Sequence, residues 1–246
     1  MSNNTQSPLI TIITVAYNAV KDIENTILSV LNQTYPNIEY IIIDGGSTDG
    51  TLDIIKKYED KISYWVSEPD KGIYDAMNKG TLKATGVWLN FMNAGDTFYN
   101  EHVLEKVFKD NDWSDADVIY GNVNIEYPKK TKLKKPLPLK RIEQQMVFCH
   151  QGSFVRTMLQ KQYLFNTTYR ISADYNFFHQ LYIEGKHFHY LNFVIAKFLF
   201  GGLSSNAITK MFVESWHIAG TKYNNFYIYT ILKVKMIEKI KRLFRL

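Results

Sequence analysis

Tyr40-Ile41-Ile42-Ile43-Asp44-Gly45-Gly46-Ser47-Thr48-Asp49-Gly50-Thr51 is the stretch from which the fold can be read. Its first four residues are apolar or aromatic without a break, the pattern of a strand buried on both faces, as parallel strands are. The glycine pair lets the chain turn where a Cβ would clash. Ser47, Thr48 and Asp49 can each cap a helix that carries Ile54, Ile55 and Tyr58. Asp44 therefore stands at the carboxyl end of a central strand, where open α/β sheets bind ligands.

Upstream, the β-branched run from Leu9 to Ala16 reads as a second buried strand. Tyr17-Asn18-Ala19 ends it, and a helix opening at Lys21 or Asp22 presents Ile23, Ile27, Val30 and Leu31 on one face. Strand, helix, strand, helix in that order predicts a right-handed parallel sheet. Downstream, Ile62–Val66 is a third strand, a charged turn follows at 67–72, and a helix runs from Ile73 to Ala84. Strand 87–92 ends in Asn93-Ala94-Gly95-Asp96, another strand-end acid. A helix over 101–110 and a strand at 118–120 complete the first half, with no internal repeat.

The chain has 246 residues, one large domain or two small ones, and a hydrophobic fraction of 46%, which is ordinary for a globular protein. Cys149 is the only cysteine, which excludes an intrachain disulfide and a cysteine metal cluster. The opening residues are polar and lack a basic segment, and no apolar run approaches the roughly 20 residues of a membrane span. A cytoplasmic protein is expected. The net charge of +5 is uneven: residues 129–141 carry seven Lys/Arg and no acid, and residues 233–246 carry six against Glu238. The rest sums to 5 − 12 = −7, so an acidic body bears two basic patches. That excludes a general nucleic-acid binder and favours attraction to an anionic surface or a phosphorylated ligand.

Four motifs in order, Ile-Thr-Val-Ala-Tyr-Asn, Ile-Ile-Asp-Gly-Gly-Ser-Thr-Asp-Gly-Thr, Ser-Glu-Pro-Asp-Lys-Gly-Ile-Tyr-Asp-Ala-Met-Asn-Lys-Gly and Leu-Asn-Phe-Met-Asn-Ala-Gly-Asp, resemble the family 2 inverting glycosyltransferases of the GT-A fold. The likeness is to bacterial enzymes that build O-antigen, capsule or exopolysaccharide units. Weaker likeness continues through Cys149-His-Gln-Gly-Ser-Phe, Ile171-Ser-Ala-Asp174-Tyr and Phe200-Gly-Gly-Leu-Ser204. The resemblance implies an α/β fold, a Rossmann-like mixed and mostly parallel sheet flanked by helices. It implies a nucleotide-sugar-binding half over residues 1–125 and an acceptor-binding half over 126–228; the resemblance does not extend to the last helix, and residues 229–246 read by themselves as a basic amphipathic helix. The activity it implies is transfer of one sugar from a UDP-sugar to an undecaprenyl-diphosphate-linked glycan, with inversion, at the inner face of the cytoplasmic membrane.

The same resemblance assigns roles. Tyr17 would lie against the uracil face and Asp44 on its edge, with Thr14, Ala16, Asn18, Ser47, Asp70, Lys71, Asn78, Asn93 and Ala94 around the donor. Asp96 would hold a divalent cation, Mn²⁺ or Mg²⁺, against the diphosphate. Asn93 and Gly95 stand where many relatives carry Asp, which leaves a non-catalytic binding domain as an alternative. His150, Gln151 and Gly202 would meet acceptor or phosphate. Asp174, ahead of a helix with Phe177, Phe178, Leu181 and Tyr182, would be the general base, Ala173 standing where the family has Glu. A dinucleotide-dependent oxidoreductase also uses strand–helix–strand units, but Gly45-Gly-Ser-Thr-Asp-Gly lacks the Gly-x-Gly-x-x-Gly spacing.

Two further expectations concern the basic patches. Pro128, Pro136 and Pro138 make residues 129–141 a mobile loop over the site. At 100° per residue Leu232, Met236, Ile237, Ile240, Leu243 and Phe244 share one face of the last helix, and Lys235, Lys239, Lys241, Arg242 and Arg245 the other. A membrane-surface helix and a helix docked on the protein are both open readings of that pattern.

Overall fold

Strand β1 (Ile10–Ala16) is buried at all seven positions, because it lies in the middle of the sheet with helices on both faces. It pairs in parallel with β2 (Ile38–Asp44) on one side and β4 (Trp88–Phe91) on the other, and β3 (Tyr64–Ser67) adds in parallel to β2. This computed structural model describes residues 7–202 and 207–243, with side chains as far as Ile237 at the carboxyl end.

The period of two along the strands sorts the core into two layers. Ile10, Ile12 and Ile42 face α1 (Ile23–Leu31), α2 (Thr51–Lys57) and α4 (Val103–Phe108), packing on Ile23, Ile27, Val30, Ile55 and Val107. Ile13, Val15, Ile41 and Ile43 face α3 (Ile73–Lys83) and α6 (Ala173–Ile183), packing with Tyr74, Met77, Phe177 and Leu181. Gly80 lets α3 lie close on the sheet: a Cβ there would come within 2.6 Å of Ile13 Cγ2. Helix α2 begins behind Gly50, whose φ of 99° suits glycine, while Asp49 Oδ1 accepts the Thr51 N–H at 3.1 Å. Of the three candidates, Asp49 therefore satisfies that orphan amide.

The sheet continues into the second half. Its order is β3-β2-β1-β4-β8-β6-β9-β5, with β6 (Val118–Tyr127), β8 (Ser153–Arg156), β9 (Phe188–Leu199) and β5 (Thr97–Phe98). Strand β8 runs antiparallel between β4 and β6, whereas β9 returns parallel to β6. The expected mixed sheet flanked by helices is the observed one. The two halves share this sheet: position 125 falls inside β6, and position 228 inside α8 (Asn224–Leu243).

Residues 129–141 differ from the expected loop. Lys130–Lys134 form β7, antiparallel to β6 and exposed throughout, and Leu139–Glu143 form a 3-10 turn. The prolines at 128, 136 and 138 flank the five-residue strand and do not interrupt it, and its lysines suit an edge that must not pair with another chain. After α5 (Thr157–Gln162) and α6, the chain ends in a helical pair, α7 (Ile208–Ala219) and α8. Trp216 stacks on Tyr227 with rings 8° from parallel, and Tyr227 is fully buried.

Helix α8 docks through Tyr227 and Ile231, and leaves Tyr229, Leu232, Met236 and Ile237 41–68% exposed. At 100° per residue, Tyr229, Leu232 and Met236 lie opposite Tyr227 and Ile231. Of the expected apolar and basic faces, Phe244 and Arg245 lie outside the described residues, and the side chains of Lys239, Ile240, Lys241, Arg242 and Leu243 are likewise outside. No helix among the described residues is long and apolar enough to cross a membrane.

Candidate active site

The carboxyl ends of β1, β2 and β4 bring three loops together. Asp44, at the end of β2, is fully buried and accepts from Gly46 N–H (3.0 Å), Ser47 N–H (2.8 Å) and Ser67 O–H (2.7 Å) on Oδ2, and from Ser47 O–H (2.5 Å) on Oδ1. Its two oxygens thus shape the loop at the end of β2. Ser47 also accepts the Asn18 N–H at 2.7 Å, and Asn18 Oδ1 accepts the Thr48 N–H at 2.9 Å. Asn18 adopts a φ of 47°, a left-handed conformation that asparagine tolerates, so β1 turns away sharply and leaves Tyr17 66% exposed.

The Tyr17 ring has Gly45 beneath it. A Cβ on Gly45 would lie 3.4 Å from Tyr17 Cδ2 and would collide with Asp70 Oδ2. Tyr17, Gly45 and Asp70 are therefore close neighbours, and a side chain at 45 would have to displace the Asp70 carboxylate. Asp70 Oδ1 accepts the Gly72 N–H at 2.7 Å, while Lys71 points outward and is exposed. Thr14 and Asn78 do not reach these three. Thr14 is fully buried, with its hydroxyl on Met92 O (2.8 Å) and Tyr40 O–H (3.0 Å), and Asn78 uses its amide on both backbone groups of Phe165. Both side chains bond within the fold. Ala16 is buried and accepts the Gly45 N–H, and Ala94 N–H bonds Val15 O, so these two contribute backbone.

Beyond β4 the site is built from four elements. Asp96 is 4% exposed; its Oδ1 accepts the Leu199 N–H (3.0 Å) from the end of β9 and its Oδ2 accepts from Gln151 Nε2 (2.9 Å). Burial pushes its carboxyl up to about 6, against the lowering effect of those two bonds and of His150. Asn93 Nδ2 lies 3.3 Å from His150 Nε2, and Asn93 Oδ1 is buried with no partner. His150 Nδ1 lies 3.1 Å from Asp174 Oδ2. In the neutral imidazole a carboxylate partner places the proton on Nδ1, which leaves Nε2 to accept from Asn93.

Asp174 sits in the first turn of α6, its side chain 17% exposed. Its Oδ1 accepts from Tyr74 O–H (3.0 Å) and from the Tyr175 N–H (2.9 Å). Burial pushes its carboxyl up, but the His150 bond and charge, Tyr74 and the Tyr175 N–H outweigh it and hold it below the usual carboxylate value. Tyr74 is driven well above the ordinary phenol value by burial and then by the Asp174 charge, so it remains a donor. Sequence reasoning named His150, Asp96 and Asp174 but missed Tyr74 and Leu199. Tyr74 lay within the third quoted motif, and the only signal for it was a tyrosine in the first turn of a helix. Gly202 stands exposed in open space and joins neither group.

A divalent cation is tested by the donor set. Among the described residues no three His, Cys, Asp or Glu gather to hold one. Asp96 retains one free lone pair per oxygen, and the orphaned Asn93 Oδ1 is a second hard ligand. That set fits a partial shell of the kind completed by phosphate oxygens and water.

The profile of "Glycosyl transferase family 2" matches residues 11–184. A PGL/p-HBAD biosynthesis glycosyltransferase of Mycobacterium bovis (strain BCG / Pasteur 1173P2) is 31% identical over 215 residues, 85% of this chain and 84% of that one. TuaG of Bacillus subtilis (strain 168), a glycosyltransferase named for teichuronic acid biosynthesis, is 40% identical over 102 residues, 40% of each chain. Among solved structures, S. aureus TarS 1-349 in complex with UDP superposes with a TM-score of 0.69 at 19% identity, over 86% of this chain and 64% of that one. The mannosyltransferase PcManGT of Pyrobaculum calidifontis, in complex with GDP-Man and Mn2+, gives 0.65 at 16% identity, over 86% of this chain and 65% of that one. The chain thus spans just under two thirds of the length of these structural neighbours, whose likeness establishes the GT-A type of fold.

Proposed function

Since the chain belongs to glycosyl transferase family 2, we propose that it transfers one sugar from a UDP-sugar to a lipid-linked glycan in cell-surface glycan synthesis, with inversion. The observation that carries this reading is a pair of carboxylates with different surroundings. Asp70 lies beside Gly45 and the exposed Tyr17 ring, and Asp174 is nearly buried and gathers Tyr74 and His150. The printed names of the relatives support the surface-glycan class, and the UDP in the TarS structure supports the nucleotide.

In this reading the uracil ring stacks on Tyr17 over Gly45, and Asp70 accepts the N3 hydrogen that Asp44, fully engaged by its loop, does not. The diphosphate extends toward Asn93 and Asp96, which would hold Mg²⁺ or Mn²⁺; the cation supplies neutralisation of charge on the leaving diphosphate. Asp174 takes the proton of the acceptor hydroxyl as its oxygen attacks the anomeric carbon from the face opposite the diphosphate. Tyr74 and His150 hold that carboxylate ionised and aimed.

The acceptor side meets an anionic membrane surface. The lysines of β7 and of α8, with the exposed strip Tyr229, Leu232 and Met236, provide cations and apolar area together. The test is UDP release from UDP-glucose, UDP-galactose and their N-acetyl forms, with the anomeric configuration of the product read by NMR. Acceptor-dependent UDP release with inversion is expected for one donor, and it disappears in EDTA. Saturable NAD(H) binding without UDP binding would contradict the reading, as would the absence of turnover with every donor despite tight UDP binding.

A further inference from the structure

The loop that delivers Asp174 is held from outside its own element. Arg170-Ile171-Ser172 leads into α6, and all three backbone N–H groups point at one side chain on α7. Glu214, 8% exposed, accepts from Arg170 (3.0 Å) on Oε1 and from Ile171 (2.9 Å) and Ser172 (3.0 Å) on Oε2. Among the described residues Glu214 forms no ion pair, so three amides are what keep this carboxylate buried. Ser172 occupies the N-cap of α6 yet makes no capping bond to its own helix. Its hydroxyl turns to α7, 3.3 Å from Met211 O and 3.4 Å from Ser215 Oγ.

The other side of the tripeptide faces the site. Ile171 O accepts from Tyr74 O–H at 2.7 Å, and the same hydroxyl reaches Asp174 at 3.0 Å. The Arg170 guanidinium donates to Lys71 O, in the loop that carries Asp70. One short segment is thus held between α7 on one side and Tyr74 and the Lys71 backbone on the other. A serine or asparagine in place of Glu214 could accept one or two of the three amides; two carboxylate oxygens accept all three.

We propose that Glu214 is a positioning residue for the transfer reaction: it fixes Arg170-Ile171-Ser172 so that Asp174 and Tyr74 meet the acceptor hydroxyl in register. This rests on Asp174 being the base. It also makes the carboxyl-terminal helical pair a part of the active site's support, through α7 and the Trp216–Tyr227 stack beneath it.

Glu214→Gln tests it, because glutamine keeps the size but turns an NH₂ toward one of the three amides. The expected result is a kcat lowered roughly 10- to 100-fold, as for small misplacements of a reacting group, with the donor KM unchanged. The double variant Glu214→Gln/Asp174→Asn is expected to be no slower than Asp174→Asn alone, since a residue acting through Asp174 has nothing left to position. Wild-type kcat in Glu214→Gln, or losses that multiply in the double variant, would overturn the proposal. If Glu214→Gln fails to fold, Glu214→Asp keeps every acceptor on a shorter stem and is read in the same way. Asp174→Asn separates the two claims. Full turnover in that variant removes the base assignment itself, whereas a slow Asp174→Asn beside a fast Glu214→Gln removes only the positioning role.

Discussion

Asp44 and Asp174 are both buried acids at the same edge of the sheet, and they are satisfied in opposite ways. Asp44 draws three of its four hydrogen bonds from Gly46 and Ser47, the residues that follow it, and the fourth from Ser67 on the neighbouring strand. Asp174 draws its side-chain donors from Tyr74, 100 residues earlier, and His150, 24 residues earlier. A carboxylate closed by its own loop serves shape. One assembled from distant side chains, with part of its surface open, is positioned for chemistry. In the proposed reading the first acid shapes the donor loop and the second removes the acceptor proton.

Removing the charge from the second of these acids gives the largest expected effect. Asp174→Asn keeps the shape and the Tyr74 bond but accepts no proton, so turnover falls by about 10²–10⁴. The circular dichroism spectrum stays that of the wild type. A smaller loss would shift the base role to another group and collapse the contrast with Asp44.

Asp96 comes next, and it separates activity from stability. Asp96→Asn is expected to lower turnover by roughly 10²–10³, through lost stabilisation of the leaving diphosphate. In the wild type the acid limb of turnover lies near pH 6, where burial places the Asp96 carboxyl, and the limb is absent in the variant. The stability effect has the opposite sign. The folded value is raised above the ordinary aspartate value of 3.8, so the contribution is full below that value and is lost as pH rises through about 6. Asparagine keeps the neutral form at all pH, and a flip of the Gln151 amide restores its partner. The variant therefore melts at or above the wild-type temperature at pH 7; a lower melting point would show that the charged form is the stabilising one.

These pairs mark the limit of what the chain reveals before it is folded. The parallel half was legible because its signals are local: unbroken apolar runs at Ile10–Ala16 and Ile38–Asp44, glycine turns and amphipathic helices. Asp44 was legible as a strand-end acid, but its engagement by Ser67 at the end of β3 was not. Glu214 carries no local pattern at all, since its partners lie 42–44 residues away. The basic segment misled for a related reason. Its prolines suggested a loop, while the pairing partner that makes Lys130–Lys134 a strand is β6, whose register only the folded sheet defines.

Tyr17→Ala sharpens the donor side. Stacking of a base on an aromatic ring contributes about 1–3 kcal/mol, so UDP affinity falls roughly tenfold while kcat at saturating donor is retained. Unchanged affinity would place the base elsewhere. Smallest is the effect at the outer strip of α8: Leu232→Ser with Met236→Ser removes exposed apolar area while leaving Tyr227 and Ile231 docked. Co-sedimentation with anionic vesicles is expected to weaken several-fold and to become more sensitive to salt, as electrostatics alone remain. The melting temperature does not move. A lowered melting temperature with unchanged sedimentation would mean that the strip packs on protein and not on lipid.

In the proposed reading donor binding and proton removal reside on different groups, and one titration addresses that directly. UDP titrated calorimetrically into the wild type and into Asp174→Asn is predicted to give dissociation constants equal within about twofold, although turnover differs by about 10²–10⁴. A tenfold or greater loss of UDP affinity in Asp174→Asn would contradict it, because the carboxylate would then belong to the donor site.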